Sequence, residues 1–270
     1  MRRPSFGGRY MDLGLKGRKA IVCASSRGLG KACALSLARE GCEVVINGLD
    51  PARLEAAAAE IRAATGAKVT PIRADITTEE GRATLIAACP DADILVNNNA
   101  GPPPGKFLDW GPAEWDAALN ANMLPAVFLL RALLPGMRQR KFGRVVNILS
   151  AMVKSPRFSD MGLSTAARTA LMGISKSVAR DVIIDNVTIN NMMPERIDTD
   201  RQRFMAERMM KAQGITMDEA RRQIADSLPA KRFGTPEEFG DACAFLCSAQ
   251  SGFMTAQNLQ LDGGSYEGLV

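Results

Sequence analysis

Cys23-Ala24-Ser25-Ser26-Arg27-Gly28-Leu29-Gly30 is the stretch that decides the fold. It closes an apolar run at 20–24 and opens a helix-forming segment at 29–41. Glycines at such a junction let backbone N–H groups approach a pyrophosphate at the positive end of a helix dipole. Further along, Asn97-Asn98-Asn99-Ala100-Gly101 ends another apolar run, 94–97. Working outward, residues 20–24, 44–47, 68–73, 94–97, 144–149 and 187–192 read as strands. Their apolar runs are continuous rather than alternating, which is what strands covered on both faces require. Segments 29–41, 51–65, 78–89, 114–140 and 164–185 read as helices. Alternating β and α elements imply a doubly wound parallel sheet with right-handed crossovers. No Ser/Gly-rich linker or repeat divides the chain, so one α/β domain is expected over 15–270, behind a flexible basic leader at 1–14. The segment 200–228 interrupts the alternation. Phe204, Met205, Met209, Met210 and Met217 stand there among many charges, giving one or two amphipathic helices and a candidate lid.

Composition narrows the class. At 270 residues, 46% hydrophobic and 23% charged, the chain can build a substantial core and is not globally disordered. The longest apolar stretch, 126–137, is interrupted by Arg131 and Pro135 and is too short to span a bilayer. No cleavable leader is recognised, so the cytoplasm is the expected compartment and no membrane partner is expected. The formal charge of +5 sits in residues 1–20, and the remaining 250 residues carry 28 bases and 28 acids. That distribution argues against a nucleic-acid partner, which needs a basic stripe on the folded domain. Cys23, Cys33, Cys42, Cys89, Cys243 and Cys247 lack zinc-type spacing and read as buried hydrophobes, so no metal is expected. The chain has no histidine, which removes His bases, His ligands and His-containing triads.

From about residue 15 onward the sequence resembles the short-chain dehydrogenase/reductase family, whose pattern is Thr-Gly-x-x-x-Gly-x-Gly followed by Asn-Asn-Ala-Gly. The resemblance implies a seven-stranded parallel sheet and a homodimer or homotetramer built through the helices at 114–140 and 164–185. For the latter, the small residues Ser164, Ala166, Ala167, Ala170 and Gly173 would permit close helix approach. The resemblance also implies a dinucleotide site of Ala24, Ser25, Ser26, Arg27, Gly28, Leu29, Gly30, Leu49, Asp75, Ile76, Asn98, Ala100, Gly101, Arg168, Pro194 and Thr199. Asn122 matches the family's active-site Asn and Ser150 its catalytic Ser. Arg232-Phe233-Gly234-Thr235-Pro236-Glu237-Glu238 and Leu261-Asp262-Gly263-Gly264 are also typical of it.

Departures from the pattern bear on the chemistry. Ala24 replaces the first glycine, and a methyl there costs about 1–2 kcal/mol if φ is positive. Gly48 stands where NAD users often carry Asp, and Leu49 where NADP users often carry Arg; Arg27 is the basic marker that favours NADP over NAD. The family's Tyr-x-x-x-Lys pair falls on Ser164 and Arg168, and its Pro-Gly on Pro194-Glu195. Lys176 lies elsewhere on that helix, while Tyr10 and Tyr266 sit towards the chain's ends, the latter able to enter a neighbouring subunit's site.

The resulting expectation is an NAD(P)-dependent oxidoreductase acting on a carbonyl or alcohol, in the manner of a 3-oxoacyl reductase. Its modified relay would use Ser150, Asn122, Ser164, Arg168 and Glu195, with Arg168 orienting Glu195 as reserve acid or base. The alternatives are a non-redox lyase, hydratase or isomerase on the same scaffold, or a cofactor-binding protein without turnover. Met152, Met161, Met192 and Met193 flank the catalytic strand ends and suggest a partly apolar small-molecule substrate. Pro102-Pro103-Pro104-Gly105 is a stiff turn bordering the entrance, and Arg157, Arg201 and Arg203 could meet a carboxylate or phosphate.

Overall fold

The computed structural model describes residues 11–269, so most of the expected leader lies outside the described residues. Seven strands form one sheet: β1 (Lys19–Val22), β2 (Glu43–Gly48), β3 (Val69–Arg73), β4 (Ile94–Asn97), β5 (Gly143–Ile148), β6 (Val187–Pro194) and β7 (Asn258–Leu261). Their order is β3-β2-β1-β4-β5-β6-β7, and every neighbouring pair is parallel. The doubly wound α/β expectation holds. The strand order reverses between β1 and β4, and a ligand cleft belongs at the carboxyl ends of those two strands.

Helices α1 (Gly28–Arg39), α2 (Pro51–Thr65) and α9 (Pro236–Cys247) cover one face of the sheet. Leu37, Leu54, Ile61 and Phe239 fill that layer, with Cys33, Cys243 and Cys247 among them as small buried hydrophobes. Desolvation holds the Cys23 and Cys42 thiols up to about 12, so these cysteines stay neutral packing groups. Gly240 lets α9 close on α1: a Cβ there would come within 2.5 Å of the Ala32 carbonyl oxygen. On the other face lie α3 (Glu79–Ala88), α5 (Leu124–Gln139) and α6 (Gly162–Val182), which bury Leu85, Leu129, Leu133, Met137, Ala179 and Val182.

Sequence and structure part at 114–140. Two helices occupy this region, α4 (Pro112–Asn122) and α5, and the backbone breaks at Met123 with φ −125° and ψ −62°. Pro125 is the physical reason, because it has no N–H to donate to the Ala121 carbonyl one turn back. By length and composition the two helices together would suffice to cross a membrane; the break instead turns α5 onto the sheet, where Leu129, Leu133 and Met137 are buried. Segment 200–228 also forms two helices, α7 (Asp200–Gln213) and α8 (Met217–Asp226). Met209, Met210 and Met217 pack with Ala206, Ala220 and Ile224 into a small core of their own, so those three methionines brace the pair. Met192 and Met193 are likewise fully buried core residues and do not face a ligand.

At the carboxyl half of the sheet a polar series runs across the strands. Asn97, Asn147, Asn191 and Asn258 occupy paired register positions on β4 to β7. Asn97 Nδ2 donates to Asn147 Oδ1 at 2.8 Å, Asn147 Nδ2 to Asn191 Oδ1 at 2.9 Å, and Asn191 Nδ2 to Asn258 Oδ1 at 2.8 Å. Asn147 also donates to Ser175 of α6 at 2.9 Å.

Replacing Asn147 by Ala strands buried amide groups on both neighbours and should destabilise the protein by about 2–5 kcal/mol in urea unfolding; a change under about 1 kcal/mol would deny the series its role. Ala24 has φ +45°, so its methyl is strained where the loop turns. Ala24→Gly should stabilise by about 0.5–1 kcal/mol, the relief of roughly 1–2 kcal/mol less the extra entropy of an unfolded glycine. At the start of α9, Thr235 and Glu238 form a capping box, and Arg232 pairs with the Glu238 carboxylate at 2.7 Å. These contacts lower the Glu238 carboxyl from 4.5 to about 2, so its stabilisation is present above pH 4.5 and is lost as pH falls towards 2. Glu238→Gln should remove roughly 0.5–1 kcal/mol at pH 7 and flatten that part of the acid-unfolding curve, because the pair is half exposed.

Candidate active site

The loop from Ala24 to Gly30 is built around two buried hydrogen-bonding groups. Asn47, near the end of β2, accepts from the Ala24 N–H at 3.3 Å and donates to the Ala74 carbonyl at 2.8 Å. Ser25 is fully buried; its hydroxyl donates to the Val22 carbonyl at 2.6 Å and accepts from the Asn47 N–H at 2.9 Å. Its N–H donates to the Asn47 carbonyl at 2.7 Å. Ser25 therefore holds the loop together and does not face a cofactor, which corrects the expectation for its side chain. Gly30 must be glycine, because a Cβ would lie 2.5 Å from the Ala24 carbonyl oxygen. Arg27 stands at the amino cap of α1 and makes no side-chain hydrogen bond to the helix, and the first turn contains no acid. The positive end of α1 is thus open to an anion, beside Gly28 at φ +57°. The residues present fit a dinucleotide pyrophosphate.

Around that end the expected residues separate by position. Ser26 lies against Gly48, where a Cβ would meet its Oγ at 3.1 Å. Leu49 is exposed, and its carbonyl accepts from Arg73 Nε at 3.2 Å; Arg73 ends β3 in register with Gly48 of β2 and is a second base beside Leu49. Asp75 is exposed and holds its own turn by accepting from Thr77 N and Oγ1. Ile76 is buried and lines a cavity of about 20 Å³ with Asn98, Asn122 and Arg168, a volume that suits a single water. Thr199 caps α7 opposite the loop, its methyl 4.0 Å from a Cβ placed on Gly28. Pro194 ends β6 in register with Leu261. Arg27 Nη1 reaches Asp200 Oδ2 at 3.3 Å, an exposed pair that ties the loop to α7.

The break at Met123 positions the second half of the site. Because Pro125 cannot donate, the Ala121 carbonyl accepts from Asn99 Nδ2 at 3.0 Å. One residue on, Asn122 Nδ2 donates to the Ala100 carbonyl at 2.9 Å. Asn98 Nδ2 donates to the Ala24 carbonyl at 3.1 Å and joins the two loops. The Asn122 amide is thereby fixed with its Oδ1 facing α6, where it accepts from Arg168 Nη1 at 2.9 Å. Arg168 Nη1 also makes a short hydrogen bond to Ser164 Oγ, one helical turn away. Gly101 lies against the guanidinium; a Cβ there would sit 3.3 Å from both Nη1 and Nη2. Burial first, and then the charge of Arg201, push the Arg168 guanidinium down to about 10, so it stays charged at neutral pH.

Ser150 follows β5 and caps a short turn, accepting from the Met152 N–H at 3.2 Å. Its own hydrogen has no acceptor among the described residues. Glu195 does not join Arg168. Its carboxylate makes a short ion pair with Arg157, and the nearby guanidinium of Arg196 is partly buried. The chain leaves β6 with Glu195 N–H bonded to the Leu261 carbonyl, which directs the side chain towards the loop after β5 and away from α6. Lys176 is exposed. Tyr266 lies under the Lys154 ammonium, 4.4 Å from ring centre to Nζ, while Tyr10 is outside the described residues.

Comparison with known proteins agrees with this architecture. A family model described as enoyl-(acyl carrier protein) reductase matches residues 23–266. The NADPH-dependent reductase BacG of Bacillus subtilis (strain 168) is 30% identical over 257 residues, covering 93% of this chain and 99% of that protein. The 3-oxoacyl-[acyl-carrier-protein] reductase FabG of Aquifex aeolicus (strain VF5) is 28% identical over 260 residues, with coverage of 95% and 100%. Among solved structures, the L-sorbose reductase of Gluconobacter frateurii, complexed with NADPH and L-sorbose, superposes with a TM-score of 0.90 at 30% identity, covering 96% of this chain and 100% of that one. The chain belongs to the short-chain dehydrogenase/reductase family of NAD(P)-dependent oxidoreductases.

Proposed function

We propose that this protein reduces the carbonyl of a small molecule with NADPH, using a proton relay that contains no phenol. The observation that carries the reading is the hydrogen-bonded set Ser164–Arg168–Asn122, at the positions where the family resemblance puts Tyr and Lys. The dinucleotide, when bound, supplies the hydride. Arg27, Gly28 and the open amino end of α1 would hold its pyrophosphate, with Ser26, Arg27 and Arg73 near the adenosine ribose and Thr199 and Asn98 further along. Ser150 has a hydrogen free to donate to the substrate oxygen, because its hydroxyl accepts from the Met152 N–H and donates to no group among the described residues. Arg168 cannot shuttle protons; it holds Ser164 and Asn122 in place and stabilises negative charge developing beside it. The proton lost from Ser150 is replaced from water.

Helices α7 and α8 fit a cover over this cleft, hinged near Thr199, and the Arg27–Asp200 pair would latch it. Assembly through α5 and α6 is supported by the outward positions of Phe128, Ile174 and Gly173, whereas Ser164 and Ala167 face inward. The non-redox and non-catalytic alternatives have no feature of the site in their favour.

Calorimetric titration with each dinucleotide tests the reading, and no heat with NADPH or NADH would overturn it. Arg27→Ala should weaken NADPH about tenfold and NADH far less, because the exposed Asp200 pair is a weak competitor for a phosphate. Ser150→Ala should lower turnover by about 10²-fold with dinucleotide affinity retained. Ser164→Tyr combined with Arg168→Lys should raise reduction of a neutral ketone. Sedimentation of the purified protein as a monomer at micromolar concentration would exclude the assembly.

A further inference from the structure

The exit of β2 carries a base that comes from the next strand. Arg73 ends β3 in register with Gly48, and its Nε donates to the Leu49 carbonyl at 3.2 Å. That bond draws the guanidinium across from β3 to the exit of β2 and uses one donor only. Arg73 is exposed, and its Nη1 and Nη2 have no partner among the described residues. From the side of β1, Ser26 lies against the same Gly48, and its hydroxyl likewise has no hydrogen-bond partner among the described residues. An anchored guanidinium edge and a hydroxyl thus flank the end of β2 with their donors unspent.

No acid opposes them. A carboxylate at the exit of β2 would hydrogen-bond the ribose hydroxyls of NAD and repel a 2′-phosphate. Gly48 supplies none, and a Cβ there would press on Ser26 Oγ at 3.1 Å and on its Cβ at 3.2 Å. The acids nearest in sequence are engaged locally. Asp50 accepts from the Arg53 N–H at 3.0 Å and pairs with its Nη2 at 3.6 Å, while Asp75 accepts from Thr77 N and Oγ1 at 2.9 and 2.7 Å. Arg27, the base in the glycine-bearing loop, already has Asp200 as a partner. Arg73 has no acid competing for it, and its Nε bond to Leu49 holds the fork in place before any ligand arrives. A planar guanidinium edge with parallel donors matches phosphate oxygens in two-pronged geometry.

We infer that Arg73, together with Ser26, binds the 2′-phosphate of NADP(H) and thereby sets the preference for it over NAD(H). This rests on the reductase reading above and adds a specificity-determining residue to it. The base comes from β3, two residues before Asp75, while Leu49 at the exit of β2 contributes only the carbonyl that anchors it.

Adenosine 2′,5′-bisphosphate and AMP, which differ by the 2′-phosphate alone, serve as probes beside NADP+ and NAD+, each titrated by calorimetry. The wild-type protein should bind the bisphosphate at least about tenfold more tightly than AMP. Arg73→Ala should cost the bisphosphate and NADP+ about tenfold each and leave AMP and NAD+ within about threefold of wild type. Arg73→Lys should keep part of the preference, because it retains the charge without the fork. Equal binding of bisphosphate and AMP by the wild-type protein, or no binding of either, would overturn the inference without any variant. A preference that survives Arg73→Ala would overturn it by assigning the phosphate to Arg27. A similar loss for all four ligands would overturn it too, by reducing Arg73 to a brace for the Leu49 carbonyl. Failure of NADP+ to bind the wild-type protein would instead strike the reductase reading, and the bisphosphate and AMP titrations would still test Arg73.

Discussion

Four amide side chains connected in series, Asn97 to Asn147 to Asn191 to Asn258, fix how β4, β5, β6 and β7 end relative to one another. In a parallel sheet covered on both faces, backbone bonds alone tolerate small slips between strands. Side-chain amides bonded across matching register positions do not, because a slip of one residue would turn each to the opposite face. The loops that carry Asn98 and Ser150 leave the sheet just beyond this series, so their spacing is inherited from it. Ser175 extends the same constraint to α6, and through α6 to Ser164 and Arg168. Asn97 Oδ1 is the one end of the series that is buried with no partner, and Asn97 lines the same small cavity as Arg168. A water there would connect sheet and site.

The site itself is organised by a missing donor. Pro125 frees the Ala121 carbonyl, Asn99 takes it, and the helix breaks so that Asn122 meets Arg168 at right range. The broken helix has a local cost, which the Asn99 hydrogen bond offsets by satisfying the Ala121 carbonyl at the break. The same residues then act twice, closing the loop after β4 and holding a charged group at its mouth. Electrostatics here are dominated by positive charge. Glu195, Asp198 and Asp200 each have a basic partner, whereas Arg168 is bonded to the neutral oxygens of Asn122 and Ser164.

Backbone strain also borders the cleft. Ala24 sits at φ +45° where the resemblance leads one to expect glycine, and Arg196 after β6 sits at φ +56°. Both belong to loops that the cleft requires to turn sharply, and both are held by neighbours: Ala24 by Asn47 and Asn98, Arg196 by its bond to Gln202. Helices α7 and α8 contribute differently. Their methionines stabilise the pair internally, and their link to the rest of the cleft is made of exposed ion pairs that form and break cheaply.

The order of strands and helices could be read from the chain, because buried parallel strands leave continuous apolar runs and the glycine-bearing loop follows the first of them directly. The closeness of Asn122, Ser164 and Arg168 was implied as well, by the family resemblance that set each of them at a position of its pattern. The break at Met123 was also signalled, by Pro125, but an apolar helix tolerates internal proline often enough, as α5 does at Pro135, that the signal alone does not place a break. Partners are another matter. Glu195 and Arg157 are separated by 38 residues, and Arg168 and Asn122 by 46, so only the folded chain decides that the carboxylate goes to one arginine and neutral oxygens to the other. The commitment of Ser25 to the loop and the asparagine series across the sheet were hidden for the same reason. Short-range pattern fixes which face a residue occupies, whereas the pairing of polar groups depends on strand register and helix placement, which exist only once the whole sheet has formed.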